Sequence, residues 1–326
     1  MLKNVGCVII GRNEGERLRR CLESVATRVE HVVYVDSGST DGSVELARSK
    51  GVSVVALDMR LPFTAARARN AGFEEAQRLL PPGAYVQFAD GDCEVQPDWL
   101  ERAQAYLEAH PGVVAVCGRR RERYPDKSIY NLLCDIEWNV AIGAAKSFGG
   151  DVMLRVEALR RVGGYREDLI AGEEPELSVR LRANGWAIEV LEAEMTLHDA
   201  AMTRFGQWWT RNVRSGYAYA EGAHLHGAPP EAHFVKPLRS ALVWGLVLPL
   251  LIAFGGLLAS SPWPLALLAI YPLQVMRLCI REAGGFRQRW LRASFLVIGK
   301  FPEVQGAMRY WRFRVLNRIS PLIEYK

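Results

Sequence analysis

The chain has 326 residues, 49% of them apolar, and a formal charge of +5 from 41 basic and 36 acidic residues. Its six cysteines stand singly, with no CxxC pair and no Cys/His cluster at zinc spacing, which argues against a disulfide framework and for a reducing compartment. The charge is uneven: residues 277–326 carry 11 Lys/Arg and 3 Asp/Glu, a net of +8, which leaves −3 on the other 276 residues. A near-neutral body with a basic tail points to an anionic surface beside the tail. The apolar stretch in "MLKNVGCVIIGRNEGE" is too short for a signal peptide, so the N-terminal body is expected to stay in the cytosol.

Along the first third, apolar strands alternate with amphipathic helices. Residues 5–10 (VGCVII) read as a buried strand. "EGERLRRCLESVATR" follows, with Leu18, Cys21, Leu22 and Val25 at helical spacing. Residues 32–35 (VVYV), 52–57 and 84–89 (AYVQFA) read as further strands. Residues 43–50 and the segment "FTAARARNAGFEEAQRLL" read as helices between them. This alternation predicts βαβ units and a mostly parallel sheet with helices on both faces. Ligands of such sheets bind at the carboxyl ends of the strands. "GRNE", "DSGSTDG" and "DGD" all fall there. The middle third is irregular until "AGEEPELSVRLRANGWAIEVL", a helix with an acidic first turn, then a strand.

The last third changes solvent. Residues 240–276 form a run of 37 without a charge, and a span needs about 20 apolar residues. Two spans are expected, about 241–259 and 263–280, joined near "SSPWP"; a buried helical hairpin is the alternative. Basic residues at both flanks put both ends in the cytosol. The tail that follows, rich in aromatic and basic residues, reads as interfacial, with a shorter third span over 293–304 interrupted by Lys300. The expected division is a catalytic domain over 1–235 and a membrane-associated helical region over 236–326. Lipid headgroups, not nucleic acid, are the expected partner of the tail.

Asp90 and Asp92 flank Gly91 at a strand end, a spacing from which two carboxylates reach one hard divalent cation. Such a cation could neutralise a departing diphosphate. A solvated Asp-Gly turn is the bland alternative. Asp36 closes its strand and could accept hydrogen bonds from a base or ribose; Asp41 reads as a helix cap. "GRNE" (Gly11, Arg12, Asn13, Glu14) offers backbone N–H groups and one cation. Arg67 and Arg69 open a helix where they could face a diphosphate. Glu173, Glu174 and Glu176 crowd a helix start. The dipole alone explains acids there, but a crowded pair also raises proton affinity, as a general base requires. His198 is a candidate third metal ligand or a satisfied lone histidine. Trp208, Trp209, Arg211 and Arg214 could line a sugar-acceptor pocket or pack the domain on a bilayer.

In this order the pieces "VIIGRNEGERLRRCLESV", "VVYVDSGSTDGS", "ARNAG", "YVQFADGD", "FGGDVMLRVEALRRVGGYRED" and "GEEPELSVRLRANGW" resemble family 2 glycosyltransferases. These are inverting nucleotide-sugar enzymes with the GT-A fold; the resemblance covers about residues 5–190. It implies a nucleotide-sugar donor, with Arg12, Asn13, Glu14, Asp36, Ser37, Arg69, Asp90, Gly91 and Asp92 around it. Asp36 would meet the base and Asp90 the ribose. Mg²⁺ or Mn²⁺ would sit on Asp92, beside Asp90, with His198, from its own position, the candidate third ligand. The base pair of the family reads Glu173-Glu174 here, so Glu174 takes the place of an aspartate. Ser37 stands where many relatives carry a second aspartate. "QWWTR" matches the motif of processive members only loosely, which argues against a polymer synthase. The resemblance and the apolar run together imply a lipid-linked or saccharide acceptor at the cytoplasmic membrane, in glycolipid or surface-polysaccharide synthesis. A membrane-bound nucleotide-sugar-binding protein without catalysis is the alternative. A sugar-nucleotide pyrophosphorylase would need a Gly-rich basic loop that "GRNEGERL" lacks.

Overall fold

The computed structural model describes residues 1–258, 263–318 and 320–324. Compactness divides the chain into two units, Met1–Thr203 and Arg204–Lys326, so that the helix Phe205–His226 belongs to the second.

The first unit holds a nine-stranded mixed sheet. Its strands are β1 (Leu2–Gly11), β2 (Val29–Asp36), β3 (Ser53–Ala56), β4 (Tyr85–Asp90), β5 (Cys93–Val95), β6 (Val113–Glu122), β7 (Gly143–Ala144), β8 (Val152–Arg155) and β9 (Ala187–His198). The order is β3-β2-β1-β4-β8-β6-β9-β5, with β7 beside β9. The first four strands pair in parallel, as the alternation of elements predicts. Beyond β4 the expectation of a mostly parallel sheet gives way. There β8 runs antiparallel to both β4 and β6, and β5 and β7 run antiparallel to β9; β6 and β9 are parallel. Short strands separated by irregular chain need no crossover helix, so antiparallel pairing is open to them.

Seven helices accompany the sheet: α1 (Glu16–Val25), α2 (Ser43–Ser49), α3 (Ala65–Leu79), α4 (Trp99–Ala109), α5 (Ile129–Glu137), α6 (Val156–Arg161) and α7 (Glu173–Ala183). The predicted stripe of α1, Leu18, Cys21, Leu22 and Val25, is fully buried. Thr64 caps α3 by accepting the Arg67 N–H at 3.1 Å. Gly72 then lets α3 lie directly on β1 and β2, since a Cβ there would overlap Val8 and Val35. That close approach fixes the height of α3 over the strand ends, and with it the position of Arg69. All six cysteines are free and buried.

The second unit is helical: α8 (Phe205–His226), α9 (Val235–Leu258), α10 (Trp263–Arg281), α11 (Phe286–Ile298) and α12 (Lys300–Val315). α8 and α12 cross at two glycines. A Cβ on Gly216 would overlap the Glu303 carbonyl, and one on Gly306 the Val213 carbonyl. α9 and α10 are long and apolar enough to cross a membrane, and only 11% and 6% of their apolar windows are buried. Leu257, Leu258 and Ile280 are 77%, 72% and 78% exposed. A core hairpin would bury these side chains; an apolar surface this large marks a face for a membrane or a partner. The expected turn between the spans, residues 259–262, lies outside the described residues. The suggested third span, 293–304, is broken at Gly299, where α11 ends and α12 begins.

Candidate active site

The ends of β1, β2, β4 and β9 and the start of α7 converge on one acidic cluster of the first unit. Arg69 is its hub. The side chain is 3% exposed, and its guanidinium meets three carboxylates: Nη1 donates to Glu173 Oε1 at 3.0 Å and lies 3.0 Å from Glu174 Oε1, and Nη2 donates to Asp90 Oδ1 at 3.0 Å. Tyr165 stacks on it at 5.6 Å. Burial disfavours its charge, yet Glu174, Asp90 and Glu173 together push its pKa up, so it stays a cation. The sequence reading aimed Arg69 at a diphosphate; in the structure its donors are directed to carboxylates. Arg67 turns away to the Asp58 and Leu61 carbonyls.

Gly150 makes this clamp possible, because a Cβ there would stand 2.7 Å from Arg69 Nη2 and 2.8 Å from Asp90 Oδ2. Glu173 is buried, while the Glu174 side chain keeps 15% of its surface. Burial and the Glu173 carboxylate, offset in part by Arg69, push the Glu174 pKa up from its ordinary 4.5 to about 7. Gly172, at φ 82°, offers the helix start no side-chain cap, so both glutamates open α7.

Asp92 is 4% exposed and its Oδ1 lies 3.3 Å from His198 Nε2. The strand pairing explains this meeting: Cys93 of β5 stands opposite His198 of β9. Asp92, Cys93 and His198 offer an oxygen, a sulfur and a nitrogen within 4.8 Å of one another. Asp90, Cys93 and Asp151 form a second such group. A carboxylate and an imidazole at this separation fit one divalent cation. Glu122 holds the far side of His198, with Oε2 at 3.8 Å from Nδ1, and is itself fixed by the N–H groups of Tyr124 and Ala200.

The nucleotide-side residues divide. Asp36 is 4% exposed: its Oδ2 accepts the Gly38 and Ser39 N–H groups at 2.9 Å, and its Oδ1 the Tyr34 hydroxyl at 3.0 Å. It therefore shapes the DSGS turn. The Ser37 N–H donates to the Gly11 carbonyl at 3.1 Å, and the Gly91 N–H to the Ile10 carbonyl at 2.8 Å. Asn13 stitches the first loop to the second, donating its N–H to Ser39 Oγ and accepting the Thr40 N–H. Asp41 does the same through the N–H groups of Gly15 and Ser43, though the α2 N-cap itself is Gly42 and not the expected Asp41. Glu14 pairs with Arg17 at 2.7 Å. Arg12 is exposed, over the Phe63 ring at 5.1 Å.

Trp208, Trp209 and Arg211 stand on α8 of the second unit. Trp208 is 5% exposed and packs edge-on against Phe295 at 4.8 Å; Trp209 Nε1 donates to Gln305 Oε1 at 2.8 Å. Both indoles thus serve helix packing within that unit. Sequence reasoning passed over Asp151 and Arg120, which complete the acidic cluster. Asp151 sits beside two glycines in "FGGD", a context that signals a turn. Arg120 is the middle of three successive arginines, which reads as a solvated run.

Residues 7–149 match the model of glycosyl transferase family 2. Glycosyltransferase AglE of Haloferax volcanii is 26% identical over 227 residues, 65% of this chain and 71% of that protein. Succinoglycan biosynthesis protein ExoA of Rhizobium meliloti is 26% identical over 268 residues, 80% of this chain and 76% of that one. Among solved structures, mannosyltransferase PcManGT from Pyrobaculum calidifontis, in complex with GDP-Man and Mn²⁺, superposes with a TM-score of 0.60 at 20% identity. It covers 92% of this chain and 87% of that one, a likeness of fold. The family match ends before Asp151, Glu174 and His198, which the fold itself brings to the strand ends. Residues 7–149 thus match glycosyl transferase family 2, on a chain with the GT-A fold and two C-terminal helices apolar enough to span a membrane.

Proposed function

We propose that the chain transfers a sugar from a nucleotide-sugar, UDP- or GDP-linked, to a lipid-linked or saccharide acceptor at the cytosolic face of a membrane, with inversion. The observation that carries the reading is Glu174. It is a partly accessible carboxylate at a helix start, held by Arg69 3.0 Å away, with a pKa raised to about 7. Such a group accepts a proton near neutral pH, as attack by an acceptor hydroxyl requires. Glu173 is buried at 2% exposure and supplies the neighbouring charge instead.

The hydroxyl oxygen attacks the anomeric carbon as Glu174 takes its proton. The donor lies over the ends of β1, β2 and β4, against Arg12, Ser37 and Gly91, with Asp90 toward the ribose. Asp36 and Asn13 hold the loops that frame it. Asp92 and His198 would hold Mg²⁺ or Mn²⁺, which supplies charge neutralisation for the leaving diphosphate. The GDP-Man and Mn²⁺ complex of PcManGT supports a donor and a cation of these classes. The exposed apolar faces of α9 and α10 support an acceptor delivered in a membrane.

The test is turnover of a panel of nucleotide sugars by protein in nanodiscs, with Mn²⁺ and with EDTA, for wild type and Asp92→Ala. One donor consumed only with metal, and not by the variant, is the expected result. Turnover unaffected by EDTA and by Asp92→Ala would remove the metal from the account. No turnover of any donor, with membrane extract as acceptor, would remove the reaction.

A further inference from the structure

Three arginines follow one another on β6, and the strand sends them to different places. Arg119 contacts Asp135, and Arg121 pairs with Glu194 at 2.6 Å with half its side chain in solvent. Arg119 and Arg120 are buried alike, at 15% and 16% side-chain exposure, and Arg120 is the one that reaches the acidic cluster. Its guanidinium lies 2.8 Å from Asp151 Oδ2 and 3.9 Å from Asp90 Oδ2, and sits over the Trp138 ring at 5.4 Å. Asp151 is 1% exposed. Its Oδ1 accepts the backbone N–H of Asp90 at 3.2 Å, and its Oδ2 accepts the Thr196 hydroxyl of β9 at 2.6 Å. Trp138 in turn meets His198 edge-on at 4.7 Å.

These contacts join what the sheet keeps apart. Asp90 ends β4, while the Asp92–His198 pair belongs to β5 and β9. Asp151 ties the Asp90 backbone to β9, and Arg120 touches the Asp90 carboxylate on one side and, through Trp138, the imidazole on the other. The Asp90 carboxylate thus stands between two guanidiniums, hydrogen-bonded to Arg69 at Oδ1 and 3.9 Å from Arg120 at Oδ2. Arg120 is the cation beside the buried Asp151, and breaking one partner of a buried pair is costly, so the two residues act as a unit.

We propose that Arg120 and Asp151 form a positioning pair for the donor site, holding Asp90 in register with Asp92 and His198 so that the nucleotide-sugar meets a preformed carboxylate. The pair rests on the glycosyltransferase reading above. Neither residue takes part in the bond exchange. Its effect therefore falls on donor affinity, and on turnover only through donor placement.

Because Arg120→Ala would strand a buried charge and unfold the site, the variants are Arg120→Lys, which keeps the charge and loses the planar fork, and the neutral double variant Arg120→Gln with Asp151→Asn. Donor KM, kcat, thermal midpoint and nucleoside-diphosphate affinity by calorimetry with Mn²⁺ are measured on each. The expected result is a midpoint close to wild type, a donor KM and diphosphate Kd raised roughly 10- to 100-fold, as for groups that orient a site's ligating residues, and kcat within about threefold. Arg120→Lys should recover part of what the double variant loses. Variants that fold and match wild type in KM and Kd overturn the pair and leave the transferase reading standing. Variants that lose only thermal stability also overturn it, since that marks a structural salt bridge. A wild type that neither binds nor turns over any nucleotide sugar overturns both.

Discussion

Glu174→Gln separates catalysis from stability, because the two should move in opposite directions. In the wild type, burial and the Glu173 carboxylate raise the Glu174 pKa from 4.5 to about 7. Between those values the unfolded chain has released this proton and the folded chain still holds it. The folded state binds more protons, so stability falls as pH rises across that window, and the loss is complete above about pH 7. At roughly 1.4 kcal/mol per pK unit the loss has an upper bound of about 3.5 kcal/mol, reduced by the part of the side chain that reaches water and by its coupling to Glu173. Glutamine mimics the protonated form and escapes this loss. The variant should therefore melt several degrees higher than wild type at pH 8, at roughly 2–4 °C per kcal/mol for a domain of this size. At pH 4.5 the difference should vanish. Meanwhile its kcat should fall by about 10² to 10⁴, the usual worth of a general base, while wild-type kcat/KM climbs with pH through about 7. Melting curves at the two pH values and a pH–rate profile decide the matter. A variant within about tenfold of wild-type activity, or a wild-type profile flat from pH 6 to 8.5, would refute the assignment of the base.

Other expectations follow from close contacts. Gly150→Ala places a methyl against Arg69 Nη2 and Asp90 Oδ2, so donor KM should rise with little loss of melting temperature; an unchanged KM would mean the clamp is not part of the donor site. Gly72→Ala overpacks α3 on Val8 and Val35 and should cost about 1–3 kcal/mol in denaturant titrations. Gly306→Val should disrupt the α8–α12 crossing and appear as aggregation in detergent. Leu251→Arg puts a charge on an exposed position of α9, at about 2.5–3.5 kcal/mol in a bilayer. It should shift protein from the membrane fraction toward the soluble or degraded one, and full membrane retention would argue against a span at α9.

Much of the first half was legible in the sequence because its physics is local. The apolar runs at residues 5–10, 32–35 and 84–89 became β1, β2 and β4, and their polar endings became the site's edge. The acidic start of α7 was equally plain. What was not legible depends on long-range pairing. Nothing near Cys93 announces that β5 will lie beside β9 and bring His198 to Asp92. Nothing in "GRRRE" distinguishes Arg120, which reaches Asp151, from its two neighbours, which meet Asp135 and Glu194 instead. Arg69 was expected at a diphosphate because a cation at a helix start suits an anion; its burial among three carboxylates follows from α3 seating on Gly72. Trp208 and Trp209 read as a sugar-acceptor wall because aromatics serve both uses, and their contacts with Phe295 and Gln305 depend on helix packing that the sequence does not announce.

The most direct test of the proposed displacement is the anomeric configuration of the product. Wild-type protein in nanodiscs would be given its donor and an acceptor, and the new glycosidic linkage read by proton NMR before any equilibration. A single attack assisted by Glu174 predicts inversion, an α-linked nucleotide sugar giving a β-linked product. Retained configuration would contradict the account, because it would require a second displacement and a nucleophile on the other face of the sugar.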